Sequence, residues 1–394
     1  MEVHASLSRG SVFLAGETIE CLVTFRNPCT ESDSSQHETN GDLVENLAWA
    51  SAQIHCQCSV DEIKVKFPAS SSVSQEELAT ASQETSFIPS RGEKGHVVLS
   101  TEPKILFCDL KLRPGESKTY IYKEIIPSNA PPSYRGQNVK YVYKVTIGTQ
   151  RVNAVIKLLR IPLKVLVFPG LPDVHFQSAG EEVQVAPSNP FLEVEKKESY
   201  LELVLQVLEN ITARRKPSVY NVTNQDGKVV KFCLVKSAFR LGEDIIGTLD
   251  FSEGTVPCVQ FLVTLQSEEE VQPECSRGSK ALVSTVSYTK HHEFCLHLQH
   301  THMLLPIPLT ITPSFSSDIV SLKWKLHFEF VTTNTSFPEL LVPSDPSDSV
   351  TLQGPESLDV QTMVWDLPIK IFPTHPVQVA NGIQSTSHSS ISIT

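Results

Sequence analysis

Apolar and polar positions alternate with a period of two along much of this chain. After Pro132-Ser133-Tyr134, the residues Val139, Tyr141, Tyr143, Val145 and Ile147 alternate with mostly polar neighbours. After Pro313-Ser314-Phe315, Val320, Leu322, Trp324, Leu326, Phe328 and Phe330 interleave with Ser321, Lys323, Lys325, His327 and Glu329. Successive side chains of a strand point to opposite faces, so this spacing predicts strands with one buried face. Turn chemistry punctuates them: Arg113-Pro114-Gly115-Glu116 places Pro and Gly at the central positions of a type II turn. One segment changes to a helical period. Leu201, Val204, Leu205, Leu208 and Ile211 follow the capping-box pattern Ser199-Tyr200-Leu201-Glu202 and run on towards Pro217, which predicts a helix over about 199–213. Its apolar stripe must be covered, either by the sandwich that follows it or by a partner.

The pattern is written twice. FLAGETIECLVTF, residues 13–25, aligns without a gap with FRLGEDIIGTLDF, residues 239–251, sharing Phe13/Phe239, Gly16/Gly242, Glu17/Glu243, Ile19/Ile245 and Phe25/Phe251. The Pro-Ser-aromatic lead-in is the second echo, and Pro162-Leu163-Lys164-Val165 against Pro368-Ile369-Lys370-Ile371 is the third, in the same order. Two copies of one all-β module follow from this, each with the many short strands of an immunoglobulin-type β-sandwich. The N-terminal copy is expected over 1–168 and the C-terminal copy over 217–373, joined by a linker over 169–216 that holds the helix. Ser-, Glu-, Thr- and Gln-rich inserts over about 30–46 and 69–95 lack the apolar content that offsets chain ordering and are expected to be mobile loops. A Pro-, Ser- and Asp-rich stretch over 333–359 lengthens the second copy, and the Ser/Thr-rich tail 374–394 is expected to be disordered.

Composition narrows the chemistry. Among 394 residues, 33 basic against 44 acidic side chains leave a formal charge of −11, which repels a nucleic-acid backbone. No window approaches the roughly 18 apolar residues needed to span a bilayer, and Met1–Gly10 lacks the pattern of a secretion signal, so a soluble cytosolic protein is expected. Nine cysteines, scattered through strand patterns, fit buried thiols in a reducing compartment. Cys56 and Cys58 are too close for the usual zinc spacing and read as neighbours on one strand face.

Two stretches invite functional readings. Residues 131–134, PPSY, match the Pro-Pro-x-Tyr ligand of WW domains. The duplicate reads Pro313-Ser314-Phe315, so the ring is needed in both copies and the hydroxyl in only one, which favours core work. HHEFCLHLQHTH, residues 291–302, could gather metal ligands. As a strand it would put His291, Glu293, Cys295 and His297 on one face, with a solvated polar face as the simpler reading. Charge runs such as Glu268-Glu269-Glu270 read as solvated loop or helix ends. There is no phosphate-binding loop, dinucleotide fingerprint or nucleophile elbow. No catalytic, cofactor-binding or metal residue is therefore assigned, and the partner-binding surface is unknown from sequence.

The Gly-Glu turn before a strand, the Pro-Pro-Ser-Tyr lead-in and the closing Pro-x-Lys-x strand together resemble the arrestin fold, over residues 1 to about 170 and about 218 to 373. With its serine-rich inserts, mid-chain helix and FRLGEDIIGTLDF, the whole layout looks closer still to the Rgp family. That resemblance implies two arrestin-like sandwiches and the smaller subunit of a Ric–Rgp complex, which promotes guanine nucleotide exchange on a Golgi Rab GTPase of the Rab-six type. It implies a larger Ric-type partner, peripheral association with Golgi membranes through partners, and no cofactor or covalent catalysis of its own. The alternative is an arrestin-type cargo adaptor linking membrane proteins to ubiquitin ligases or coats, which would use Tyr134. The chain departs from signalling arrestins in lacking an acidic clathrin- or adaptor-binding box in its tail, and no counterpart of their buried charged core is legible.

Overall fold

In the computed structural model, residues 1–28, 44–68, 87–152, 154–168, 200–213, 216–335, 357–383 and 388–392 are described. The alternating segments become β1 (Glu2–Leu7), β2 (Val12–Leu14), β3 (Thr18–Arg26), β4 (Glu45–Val60), β5 (His96–Ser100), β6 (Lys104–Leu112), β7 (Ser117–Ile125), β8 (Tyr134–Arg135), β9 (Val139–Arg151) and β10 (Lys157–Leu166). Helix α1 (Tyr200–Thr212) follows. The second half contributes β11 (Ser218–Thr223), β12 (Lys228–Leu234), β13 (Ala238–Arg240), β14 (Asp244–Asp250), β15 (Cys258–Val271), β16 (Val283–Phe294), β17 (His300–Pro306), β18 (Phe315–Ser316), β19 (Val320–Thr333) and β20 (Val360–Phe372). A short helix α2 (Pro376–Gly382) and a last strand β21 (His388–Ser392) close the chain.

The strands form four sheets, two per half. In the first half the orders are β21-β1-β3-β7 and β2-β10-β9-β4-β5, with β6 and β8 pairing β4 and β9 off that path. In the second they are β11-β12-β14-β17 and β13-β20-β19-β15-β16, with β18 pairing β19. Apart from β6, which has no counterpart in the second half, the two halves correspond position by position, including the parallel pairs β2 with β10 and β13 with β20. The alternating residues of β9 and β19 named above are all buried, each set inside its own half. Large rings fill both cores: Phe25 meets Phe107 edge-on at 5.0 Å, and Phe232 meets Phe328 at 5.0 Å.

The duplicated residues perform duplicated work. Gly16 and Gly242 have φ of 88° and 83°, a left-handed conformation that side chains disfavour. Glu17 accepts from the Leu14 amide at 2.7 Å, and Glu243 from the Arg240 amide at 2.8 Å, so each carboxylate closes its own turn. The Gly16 amide donates to Ile126 O at 2.8 Å and the Gly242 amide to Ile307 O at 3.0 Å. In the lead-ins, Ser133 Oγ accepts from the Val165 amide at 2.9 Å and Ser314 Oγ from the Ile371 amide at 3.1 Å. Short polar side chains that replace a missing backbone partner explain why the same few residues recur.

Three expectations need correction. The tail 374–394 is not wholly disordered: α2 begins at Pro376, capped by His375, and β21 pairs antiparallel with β1 from Ser6↔His388 to Glu2↔Ser392. It supplies to the first half the edge position that β11, lying just ahead of β12, supplies to the second. The inserts are shorter than their composition implied. Glu45 and Asn46 already pair with Leu112 and Lys111, and part of 69–95 is held in place. There Phe87 packs on Trp49 at 6.2 Å, while Pro89 O and Arg91 O accept from Arg160. Residues 30–43 and 69–86 lie outside the described residues, as does most of 333–359. The helix is turned slightly from its expected face: Val204, Leu208 and Thr212 are buried, whereas Ile211 is exposed. Its capping residue Ser199 lies outside the described residues.

Candidate functional site

The two halves meet along a seam built by the β8–β9 turn of the first and by β15 and β18 of the second. Alternation along β15 buries Phe261, Val263 and Leu265, and the same parity brings Glu269 inward, where it is 3% exposed. Its Oε2 accepts from the Tyr134 hydroxyl and the Gln137 amide, both at 2.7 Å, and its Oε1 from the Asn138 amide at 2.8 Å. Asn138 Nδ2 donates to Ser284 Oγ at 2.9 Å, and Tyr141 and Ser317 hydroxyls meet at 3.0 Å. The Tyr134 and Phe315 rings, duplicates of one another, pack edge-to-face at 5.0 Å across the seam. A buried carboxylate is tolerable because donors surround it, and here all three of those donors belong to the other half. Burial, and then Glu269, hold the Tyr134 phenol far above its usual pKa.

A second contact lies along the same boundary. Val65 and Ser276 form an isolated antiparallel bridge, with the Lys66 amide donating to Cys275 O at 2.8 Å and the Arg277 amide to Lys64 O at 2.9 Å. Phe168, just past β10, and Phe372, the last residue of β20, approach at 5.6 Å. Helix α1 touches both halves: the Tyr200 hydroxyl donates to Ala15 O at 2.9 Å, and Lys236 Nζ donates to Thr212 O at 3.2 Å. Of the helix stripe, Val204 and Leu208 are buried within the chain and Leu201 and Leu205 partly so, while Ile211 stays exposed.

PPSY is a structural element of this joint. Pro131 O accepts from the Tyr143 hydroxyl at 2.6 Å, Ser133 serves β10, and Tyr134 is buried. A WW domain needs that tyrosine in reach, so the geometry opposes the adaptor reading. The histidine-rich stretch straddles two strands. β16 ends at Phe294, so Cys295 and His297 do not continue the face of His291 and Glu293. Glu293 is engaged by Thr301 at 2.7 Å, His292 meets Gln260 at 3.3 Å, and His300 meets Asp250 at 3.2 Å. Among the described residues, no three His, Cys, Asp or Glu side chains converge as a metal site. The eight described cysteines are free, and burial pushes the Cys21, Cys56 and Cys58 thiols up to about 12.

The run Glu268-Glu269-Glu270 is no solvated loop. It lies in β15, with Glu268 paired to Lys325 and Glu270 to Lys323, both at 2.5 Å, on the face opposite Glu269. The clue was its parity: Glu269 falls in step with Phe261, Val263 and Leu265. A further buried polar group carries no motif in the sequence. His55 sits at 1% exposure in β4 beside Glu93, which also pairs with Lys144 and Arg160. Burial lowers the His55 pKa despite Glu93. Burial would raise that of Glu93, but Lys144, Arg160 and His55 outweigh it and hold it below the usual carboxylate range.

These features make a jointed two-sandwich body whose polar contacts are structural. The sequence profile of the family described as Rgp1 matches residues 28–170 and 173–333, which span both halves and the joint. The chain belongs to the Rgp1 family. It is 51% identical to the human protein named "RAB6A-GEF complex partner protein 2" across a 401-residue alignment that covers 100% of each. The Bos taurus protein of the same name is 51% identical over 383 residues, covering 95% of this chain and 94% of the relative. Among the described residues, no helix is long and apolar enough to cross a membrane.

Proposed function

We propose that this chain is a non-hydrolytic subunit of a heteromeric guanine nucleotide exchange factor for a Golgi Rab GTPase of the Rab-six type. It works with a larger Ric-type subunit, associates peripherally with Golgi membranes through its partners, and serves retrograde endosome-to-Golgi and intra-Golgi traffic. The observation that carries this reading is the end-to-end similarity to relatives named as partner proteins of a RAB6A-GEF complex. The architecture is consistent with it: two sandwiches clamped at a buried joint present breadth rather than a reactive side chain.

Exchange needs no covalent step. A complex that binds nucleotide-free GTPase more tightly than the GDP-bound form weakens GDP binding by the same factor. Moving a two-state GTPase from 1:99 to 99:1 takes about 5.5 kcal/mol of differential binding, a demand that a composite surface meets more readily than a single group. The untagged protein, purified from its own cell, tests the reading. A larger subunit should co-purify stoichiometrically, and the complex should speed release of a fluorescent GDP analogue from a Rab-six type GTPase. A monomer, or a complex without effect on any Rab, would overturn it.

A further inference from the structure

We propose that the seam between the two sandwiches carries a binding site for a small phosphate-bearing anion, held by Lys164 and Arg135. A cavity of about 420 Å³ opens there, with Lys164 and the exposed Arg135 in its wall beside Ser11, Ser133, Thr310 and Thr312. Both halves contribute, and that volume is of the size that takes small ligands. No Asp, Glu or His is among the described residues lining it, although the chain as a whole carries a charge of −11. The other titratable groups in the wall are Tyr134, whose hydroxyl is turned to Glu269, and Tyr141, whose hydroxyl meets Ser317.

The duplicated sequence provides an internal control. Lys164 and Lys370 are the same position of the Pro-x-Lys-x strand, and each amide is held alike, by Ser11 O and Ser237 O. Lys370 stands in solvent, whereas Lys164 is half-buried and, among the described residues, its ammonium donates to the neutral Thr310 carbonyl, at 3.2 Å, and pairs with no carboxylate. Burial without a counter-ion pushes its pKa down to about 8. The strand therefore does not require a half-buried cation here, and a cation partly withdrawn from water without a carboxylate gains from an anion that completes it. Arg135 adds a planar fork of donors suited to phosphate oxygens. A phosphate ester and free phosphate share that chemistry.

Calorimetric titration of the full-length protein with pyrophosphate and with inositol trisphosphate, and flotation with vesicles containing or lacking a phosphoinositide, tests the site. Saturable binding is expected, weakened about tenfold or more by Lys164→Gln and by Arg135→Gln but unchanged by Lys370→Gln. Binding near pH 8 should also draw protons from the buffer, because the bound anion raises the Lys164 pKa, and Lys164→Gln should abolish that uptake. Equal capture of soluble anions and vesicles would identify the free group as sufficient; capture of vesicles alone would assign the site to a lipid headgroup. Absence of binding to every probe, or binding that both seam variants leave intact, would overturn the proposal.

Discussion

Glu269 shows how much one side chain can organise. Three donors converge on its carboxylate, and removing it leaves the Tyr134 hydroxyl and two backbone amides without their acceptor in a place that water reaches poorly. Glu269→Ala is expected to lower stability by about 3 kcal/mol, and Glu269→Gln, which keeps the shape but turns an acceptor into a donor, by about 1–2 kcal/mol. Urea unfolding followed by fluorescence checks this; an unshifted midpoint for Glu269→Ala would show that the seam does not depend on it. His55 makes a different prediction. Its folded pKa lies below the usual 6.5, so as the pH falls through that value the unfolded chain takes up a proton that the folded one refuses, and stability declines. Glu93, depressed in its turn, loses its contribution at lower pH, from the ordinary carboxylate value down through its own depressed one. Between pH 7 and 5, His55→Asn should therefore flatten the fall of melting temperature relative to wild type; parallel curves would refute the assignment.

Among the elements, β21 is the least expected. The second half obtains the fourth strand of its smaller sheet from β11, immediately before β12, while the first half takes its own from the far end of the chain. A protein ending after Ile383 should still fold, since the buried faces of β1 and β3 pack within the first half. The outward amides of β1 would then lose their partners, and hydrogen exchange should show them opening faster while those facing β3 stay protected. Protection unchanged across β1 would mean that β21 contributes nothing in solution. The strand patterns of β9 and β19 were plain from their alternation, and so was the existence of α1. The exact face of α1 was not, because its covering surfaces come from Ala15 on one side and Lys236 on the other.

As a whole, the molecule is two like bodies joined by unlike contacts. Tyr134 and Phe315 are counterparts, yet only Tyr134 bears the hydroxyl that reaches Glu269. Heating should give one cooperative transition for the intact protein, because neither half can leave the seam without uncovering Glu269, and Glu269→Ala should separate it into two. Differential scanning calorimetry decides this; two well-resolved peaks in the wild type would contradict it. Strand faces, the duplication and the turns closed by Glu17 and Glu243 are written locally, in residue type and period, and are legible without coordinates. The burial of Glu269 was half-legible, from its parity in β15, but the donors that make it tolerable lie more than a hundred residues away. Lys164 and Lys370 share a strand motif and a backbone hydrogen bond but differ in exposure, and the Thr310 carbonyl beside Lys164 comes from the other half. The tail strand left no side-chain pattern because its pairing runs through backbone groups that every residue carries. Period and residue type are properties of neighbours in the chain, whereas a seam and a borrowed strand are properties of neighbours in space, and only the packed structure supplies those.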